Sequence, residues 1–150
     1  MVTVYIGGGL ANKMFQYAFS LAIKKKGYGV LYDTHTFKTE FQHDQVTLQS
    51  IFENVEITEN DKVNYIAAGK NSKFFRMWKR IMPWYVSEHA YLYNDKVWKQ
   101  IRKCCYVESS WQDERYFENV EEEVRRAFIF PNFVDSRNMD VQKKMLESNS

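Results

Sequence analysis

Three consecutive glycines, Gly7, Gly8 and Gly9, stand between an apolar run and an amphipathic stretch, with Asn12 and Lys13 just beyond. Glycine backbone lets a ligand approach main-chain N–H groups without meeting a Cβ. A helix starting here adds unpaired N–H donors and the positive end of its dipole, a setting that suits phosphate or another anion. The run GGGLAN fits neither the dinucleotide fingerprint G-x-G-x-x-G nor the P-loop, so a tight turn that only joins strand to helix is an equal alternative. Asn12 brings an amide that both donates and accepts hydrogen bonds. Lys13 either reaches a phosphate or is solvated, with solvation favoured.

Other residues able to do chemistry are scattered. Asp33 ends the run Gly29-Val30-Leu31-Tyr32-Asp33. An acid there stands at the strand edge where open α/β sheets receive ligands, or caps a turn beside Thr34 and Thr36. His35 and His43, with Glu40 and Asp44, lack the spacing of a helical metal pair or a zinc finger, so they read as surface loop residues and no metal is expected. Cys104 and Cys105 are adjacent in a strand-like run, where neighbouring side chains point to opposite faces, so two free thiols are expected, as in a reducing cytosol. Further on, Ser109-Ser110-Trp111-Gln112-Asp113-Glu114 reads as a strand end, a small-residue turn and a helix start with acids at the dipole's positive end.

The elements that would position these groups follow from local patterns. Val2, Val4 and Ile6 predict a buried strand. Leu10, Met14, Tyr17, Ala18 and Leu21 recur at three- and four-residue steps and predict a helix with that face on the sheet. Lys24, Lys25 and Lys26 suit its negative dipole end and Gly27 its cap. The 29–33 strand then completes a β-α-β unit. A polar loop is expected over 35–44, followed by Val46, Leu48, Ile51 and Phe52 docking on the core. Thr58 is a candidate N-cap for a helix to about Ala68. A second helix from Asn71 to Met82 carries an aromatic and Met stripe that packs on its own domain or, as the minority alternative, on a membrane surface. Tyr85 to Glu88 and Lys96 to Trp98 alternate like a hairpin around Asn94-Asp95. Cys104 to Glu108 reads as a buried strand, Glu121 to Phe128 as a continuing helix with acid–arginine pairs, and Met139 to Glu147 as a closing helix.

Composition narrows the class. At 150 residues and 45% hydrophobic, the chain suits one globular α/β domain over 1–150. A net charge of +2, from 21 basic and 19 acidic residues, gives no electrostatic case for nucleic acid or an anionic membrane. The 17% of aromatic residues could stack on sugars, although most aromatics fill cores. No basic leader and no apolar run of roughly 18 residues is visible, so a cytoplasmic protein without a membrane span is expected.

Two stretches bear a family likeness. Gly8-Gly9-Leu10-Ala11-Asn12-Lys13-Met14-Phe15-Gln16-Tyr17-Ala18 resembles the GGLGNQMFQYA signature that opens bacterial α-1,2-fucosyltransferases of glycosyltransferase family 11, differing at Ala11 and Lys13. Ser109 to Phe117 is similar to that family's G-Y-F/W-Q-S/D-x-x-Y-F segment, with Ser109 in place of glycine. The resemblance continues through Val124-Arg125-Arg126-Ala127-Phe128. It implies a Rossmann-like parallel sheet flanked by helices, the N-terminal domain of a GT-B-type enzyme about twice this length. The family's H-x-R-R-x-D motif is expected beyond Ser150, in a donor-binding domain this chain lacks; Arg125-Arg126 is not that motif. The implied reaction moves L-fucose from GDP-fucose to the 2-OH of a galactoside with inversion and without a metal or other cofactor. Gly8, Gly9 and Asn12 are the implied donor contacts, with Asp33, Trp111 and Gln112 on the acceptor side or cleft; the catalytic base is expected beyond Ser150. The 150 residues alone are expected to be inert, and to self-associate through the face a second domain would cover. The rival is a carbohydrate- or protein-binding α/β module without catalysis; a nucleotide-binding domain without sugar transfer is third.

Overall fold

A computed structural model of the chain describes residues 1–34, 46–59, 84–88 and 92–131. Strand β1 (Val2–Tyr5) opens it, with Val2, Val4 and the following Ile6 wholly buried. The glycine turn leads into helix α1 (Leu10–Lys25), and strand β2 (Val30–Asp33) returns parallel to β1, Val2 opposite Val30 and Tyr5 opposite Asp33. Gly27 ends α1 as expected: at φ +87° it takes the left-handed conformation. Its N–H donates to the Lys24 carbonyl at 2.9 Å and that of Tyr28 to Ile23 at 3.4 Å, satisfying carbonyls the helix leaves unpaired.

The sheet is wholly parallel, with strands in the order β2-β1-β4-β3, where β3 is Tyr85–Val86 and β4 is Tyr106–Val107. This corrects the hairpin expected over 85–98. Tyr85 pairs with Tyr106, and Lys96–Gln100 is a short helix (α3) in the connection between β3 and β4. Two-residue alternation does not encode a partner, and the partner here lies 21 positions away, since Tyr85 is opposite Tyr106. The helix expected from Thr58 does not start there: the Thr58 carbonyl accepts from Tyr32 N–H at 2.9 Å and Glu59 bridges Tyr32 in parallel, extending the sheet outside β2.

Helix α1 lies on one face of the sheet and contacts residues 118–120 and helix α4 (Glu121–Ala127) with its other flank. Because it is covered from two sides, its buried line differs from the expected one. Phe19, Ser20, Ala22 and Ile23 are wholly buried, with Lys13, Gln16, Tyr17 and Ala18 nearly so, whereas Leu10, Met14 and Leu21 are only partly buried. Apolar periodicity misses a line carrying polar residues when these have partners. The Ser20 hydroxyl donates to the Tyr17 carbonyl at 2.6 Å and meets the Tyr32 hydroxyl at 2.8 Å. Lys13 is likewise corrected. It is not solvated: it is 1% exposed and its ammonium donates to the Val46 carbonyl at 2.7 Å, its stem lying along the core.

The short helix α2 (Leu48–Ile51) has its N-terminus capped by Thr47 and buries Leu48, with Phe52 following, so this apolar segment docks as expected. After β4 the chain forms two 3₁₀ turns, Glu114–Tyr116 and Glu118–Val120, before α4, instead of one helix. Asp113 closes the first turn by accepting from both the backbone N–H and the guanidinium of Arg115. In α4 the expected acid–arginine pairing holds for Glu121 and Arg125, at 2.6 Å. The 35–44 loop with its histidines, residues 60–68 of the expected helix, the 71–82 stripe and the 139–147 helix lie outside the described residues. Among the described residues no helix is long and apolar enough to cross a membrane.

Candidate functional site

Gly8 requires its residue type. It sits at φ +80°, and a Cβ there would lie 3.2 Å from Asn12 Nδ2. Gly7 N–H donates to Gln16 Oε1 at 2.8 Å, so a buried side chain in the second turn of α1 holds the glycine turn in place. Gly9 occupies the N-cap position without a side-chain cap. Asn12, in the first turn, projects its amide beside Gly8.

At the carboxyl end of β4, Trp111 adopts φ +51°, an outlier for a bulky residue and the kind of strain that gathers at functional sites. An aromatic cluster holds it there. Its indole stacks on Phe19 of α1 at 4.1 Å between ring centres and meets Tyr116 edge-on at 5.3 Å. Phe19 also contacts Trp98 at 5.0 Å and Tyr116 at 5.3 Å, which makes it the common support of this segment. With Trp111 so fixed, Gln112 reaches the glycine turn: its Nε2 donates to Asn12 Oδ1 at 2.8 Å, across 100 positions of sequence.

These two segments and the end of β3 enclose an open cavity of about 370 Å³ outside the carboxyl ends of β1, β3 and β4. Gly7, Gly8, Asn12 and Gln16 form one side of it, Ser109, Ser110, Trp111 and Gln112 another. Glu88 and Glu108 also line it, and no Lys, Arg or His does among the described residues. Glu108 Oε2 accepts from the Tyr85 hydroxyl at 2.6 Å. Glu88 Oε2 accepts from Asn94 Nδ2 at 2.6 Å, and the Glu88 carbonyl from the Ser109 hydroxyl at 2.5 Å, tying the ends of β3 and β4 together. Burial first, and then the Glu108 carboxylate, push the Tyr85 phenol well above its ordinary pKa, so it remains a hydrogen-bond donor.

Of the residues singled out from sequence, Gly8, Asn12, Trp111 and Gln112 meet at this cavity. Trp111 is at once 2% exposed and part of the lining. Gly9 and Asp33 are not among the lining residues. Asp33 is 2% exposed and its Oδ2 accepts from the Tyr106 hydroxyl at 2.6 Å. The carboxylates Glu88 and Glu108, with Gln16 and Tyr85, escaped notice in the sequence. Glu108 carried a usable signal, an acid directly after a buried strand, the same position that drew attention to Asp33. Cys104 is exposed and Cys105 buried, both as free thiols. Among the described residues no group of three or more potential ligands could hold a metal ion.

The fold is thus a parallel α/β sheet flanked by helices, and its cavity lies where such sheets receive ligands. Compared with protein families, curated proteins and solved structures, the chain matches none.

Proposed function

We propose that the chain is the N-terminal, Rossmann-like domain of a GT-B-type α-1,2-fucosyltransferase, which moves L-fucose from GDP-fucose to the 2-OH of a galactoside. The observation that carries this reading is the 2.8 Å bond between Asn12 and Gln112. It joins the two stretches that resemble family 11 enzymes, at the rim of a cavity at the carboxyl ends of the strands. In the reaction a general base takes the proton of the acceptor hydroxyl as its oxygen attacks the anomeric carbon from the face opposite the diphosphate, the bond to the diphosphate breaks with its electron pair, and the configuration inverts. The leaving diphosphate needs positive charge. In this reading residues of a second domain supply that charge.

A transfer assay with GDP-fucose and a lactose acceptor tests the proposal. The 150-residue chain alone is expected to transfer no fucose, and the same chain extended by a domain carrying H-x-R-R-x-D is expected to do so. Transfer by the 150 residues alone overturns the two-domain reading. Failure of the extended protein on every galactoside tried overturns the transferase reading, in favour of a carbohydrate-binding module, which the carboxylate- and amide-rich lining also suits.

A further inference from the structure

The net charge of +2 conceals a separation that the fold creates. All four strands are parallel, so the segments leading into them meet at the amino end of the sheet, opposite the cavity. Two of these segments are basic. Lys24-Lys25-Lys26-Gly27-Tyr28-Gly29 before β2 and Lys99-Gln100-Ile101-Arg102-Lys103-Cys104 before β4 carry six cations and no acid, and all six cations are exposed. The segments touch each other and Met1. The Tyr28 hydroxyl donates to the Ile101 carbonyl at 3.3 Å, Cys104 N–H to the Met1 carbonyl at 2.8 Å, and Lys26 Nζ stands 4.7 Å from the centre of the Trp98 ring. Lys25 pairs with Glu123 of α4 at 2.9 Å, which marks the border of the basic surface. Lys24, Lys26, Lys99 and Lys103 make no ion pair among the described residues. The dipole of α1 favours cations in its last turn, yet Lys103 belongs to no helix.

The composition of this surface narrows its partner. Five of the six cations are lysines, strongly hydrated point charges, whereas phosphates read in a fixed register call for the planar fork of arginine. Lysines suit a diffuse sheet of negative charge. Among them stand Met1, 55% exposed, and the partly buried Tyr28 and Trp98, side chains that favour the boundary between an apolar and a wet phase. We infer that the amino end of the sheet is a contact surface for an anionic lipid bilayer, with Lys24, Lys26, Lys99 and Lys103 over the headgroups and Met1 among them. The cavity then opens away from the bilayer. This surface is independent of the transferase reading and stands whether or not the extended protein transfers fucose.

Co-sedimentation of the 150-residue protein with vesicles tests it, using phosphatidylcholine alone or with about a third phosphatidylserine. Binding is expected to the phosphatidylserine vesicles at about 0.1 M salt, with release at about 0.5 M as screening shortens, and none to phosphatidylcholine alone. Each basic residue at such a surface is worth about fivefold in affinity, so Lys26→Gln, Lys99→Gln and Lys103→Gln combined should weaken binding about a hundredfold. Arg115→Gln, Arg125→Gln and Arg126→Gln combined remove the same net charge outside this surface and should weaken it by less than about tenfold. Silence from the phosphatidylserine vesicles, equal binding to phosphatidylcholine, or equal weakening by the two triple variants overturns the inference. So does a DNA duplex that binds more tightly than the phosphatidylserine vesicles at the same salt and loses that binding in the lysine variant, an outcome that assigns the surface to nucleic acid. Should the lysine variant not fold, the lipid and salt comparisons on the wild-type chain still decide.

Discussion

Two phenol–carboxylate pairs stand side by side on one face of the sheet, and they are nearly identical in local geometry. Tyr106 donates to Asp33 at 2.6 Å and Tyr85 to Glu108 at 2.6 Å. The two rings stack at 5.9 Å with 16° between their planes. Both phenols are pushed upward in pKa, by burial first and by the neighbouring carboxylate second. What separates the pairs is access. Asp33 and Tyr106 are each 2% exposed, whereas Tyr85 and Glu108 line the cavity. A short bond and a perturbed phenol therefore do not distinguish a residue sealed inside the sheet from one that lines a cavity. Solvent contact does.

The largest effect that would sharpen this contrast is on stability. Asp33→Ala leaves the Tyr106 hydroxyl buried without this acceptor and is expected to lower the unfolding free energy by about 1–3 kcal/mol, with Asp33→Asn, which keeps an acceptor oxygen, recovering much of it. Glu108→Ala opens onto water and is expected to stay within about 0.5 kcal/mol of the parent, as changes at solvated positions do. Urea unfolding of the three variants makes the comparison. Equal losses for Asp33→Ala and Glu108→Ala would break the distinction between a sealed and an open pair.

Alkaline titration gives the next effect. A phenol whose folded pKa is raised binds its proton more tightly in the folded state. Its stabilising contribution is complete below the unfolded value of about 10 and is lost as the pH climbs from there toward the folded value. Stability is thus expected to fall above about pH 10. Phenolate absorbance should distinguish the pairs by subtraction: the signal missing from Tyr106→Phe appears only with unfolding, and that missing from Tyr85→Phe begins before it, because the cavity admits water. Glu108→Gln removes one of the charges that hold Tyr85 protonated and should bring its ionisation to lower pH. Simultaneous appearance of both signals with unfolding would contradict the difference in access.

Only part of this arrangement was legible in the sequence, and the dividing line is physical. β1, α1 and β2 are written locally: β-branched residues alternate, glycines punctuate, and lysines with Gly27 close the helix. β3 and β4 are two residues each and exist only because they pair in parallel with distant partners, so no local pattern could separate them from a hairpin. Lys13 looked like a solvated cation because its carbonyl partner, Val46, is 33 positions away. Asn12 and Gln112 were each noticed, yet their bond spans 100 positions and depends on Trp111 accepting a left-handed backbone that its residue type does not announce. Phe19, outside the expected apolar stripe, turned out to be what supports Trp111. Asp33 and Glu108 show the limit most plainly. Both are acids at strand ends, and sequence drew attention to the one that the fold then sealed.

The smallest effect tests the contrast most severely. Tyr85→Phe removes the hydroxyl that positions Glu108 and leaves the ring stacked on Tyr106, so packing is unchanged. Tyr106→Phe does the same to Asp33, but inside the sheet. Where water reaches a carboxylate, a lost hydrogen bond is replaced by a solvent one, and Tyr85→Phe is expected to cost no more than about 0.5–1 kcal/mol. Where it does not, the penalty of an undersatisfied buried charge applies, so Tyr106→Phe should cost more, upward of about 1.5 kcal/mol. Thermal or urea unfolding of the two variants measures the gap. A Tyr85→Phe cost as large as that of Tyr106→Phe would mean that Glu108 is sealed off from solvent.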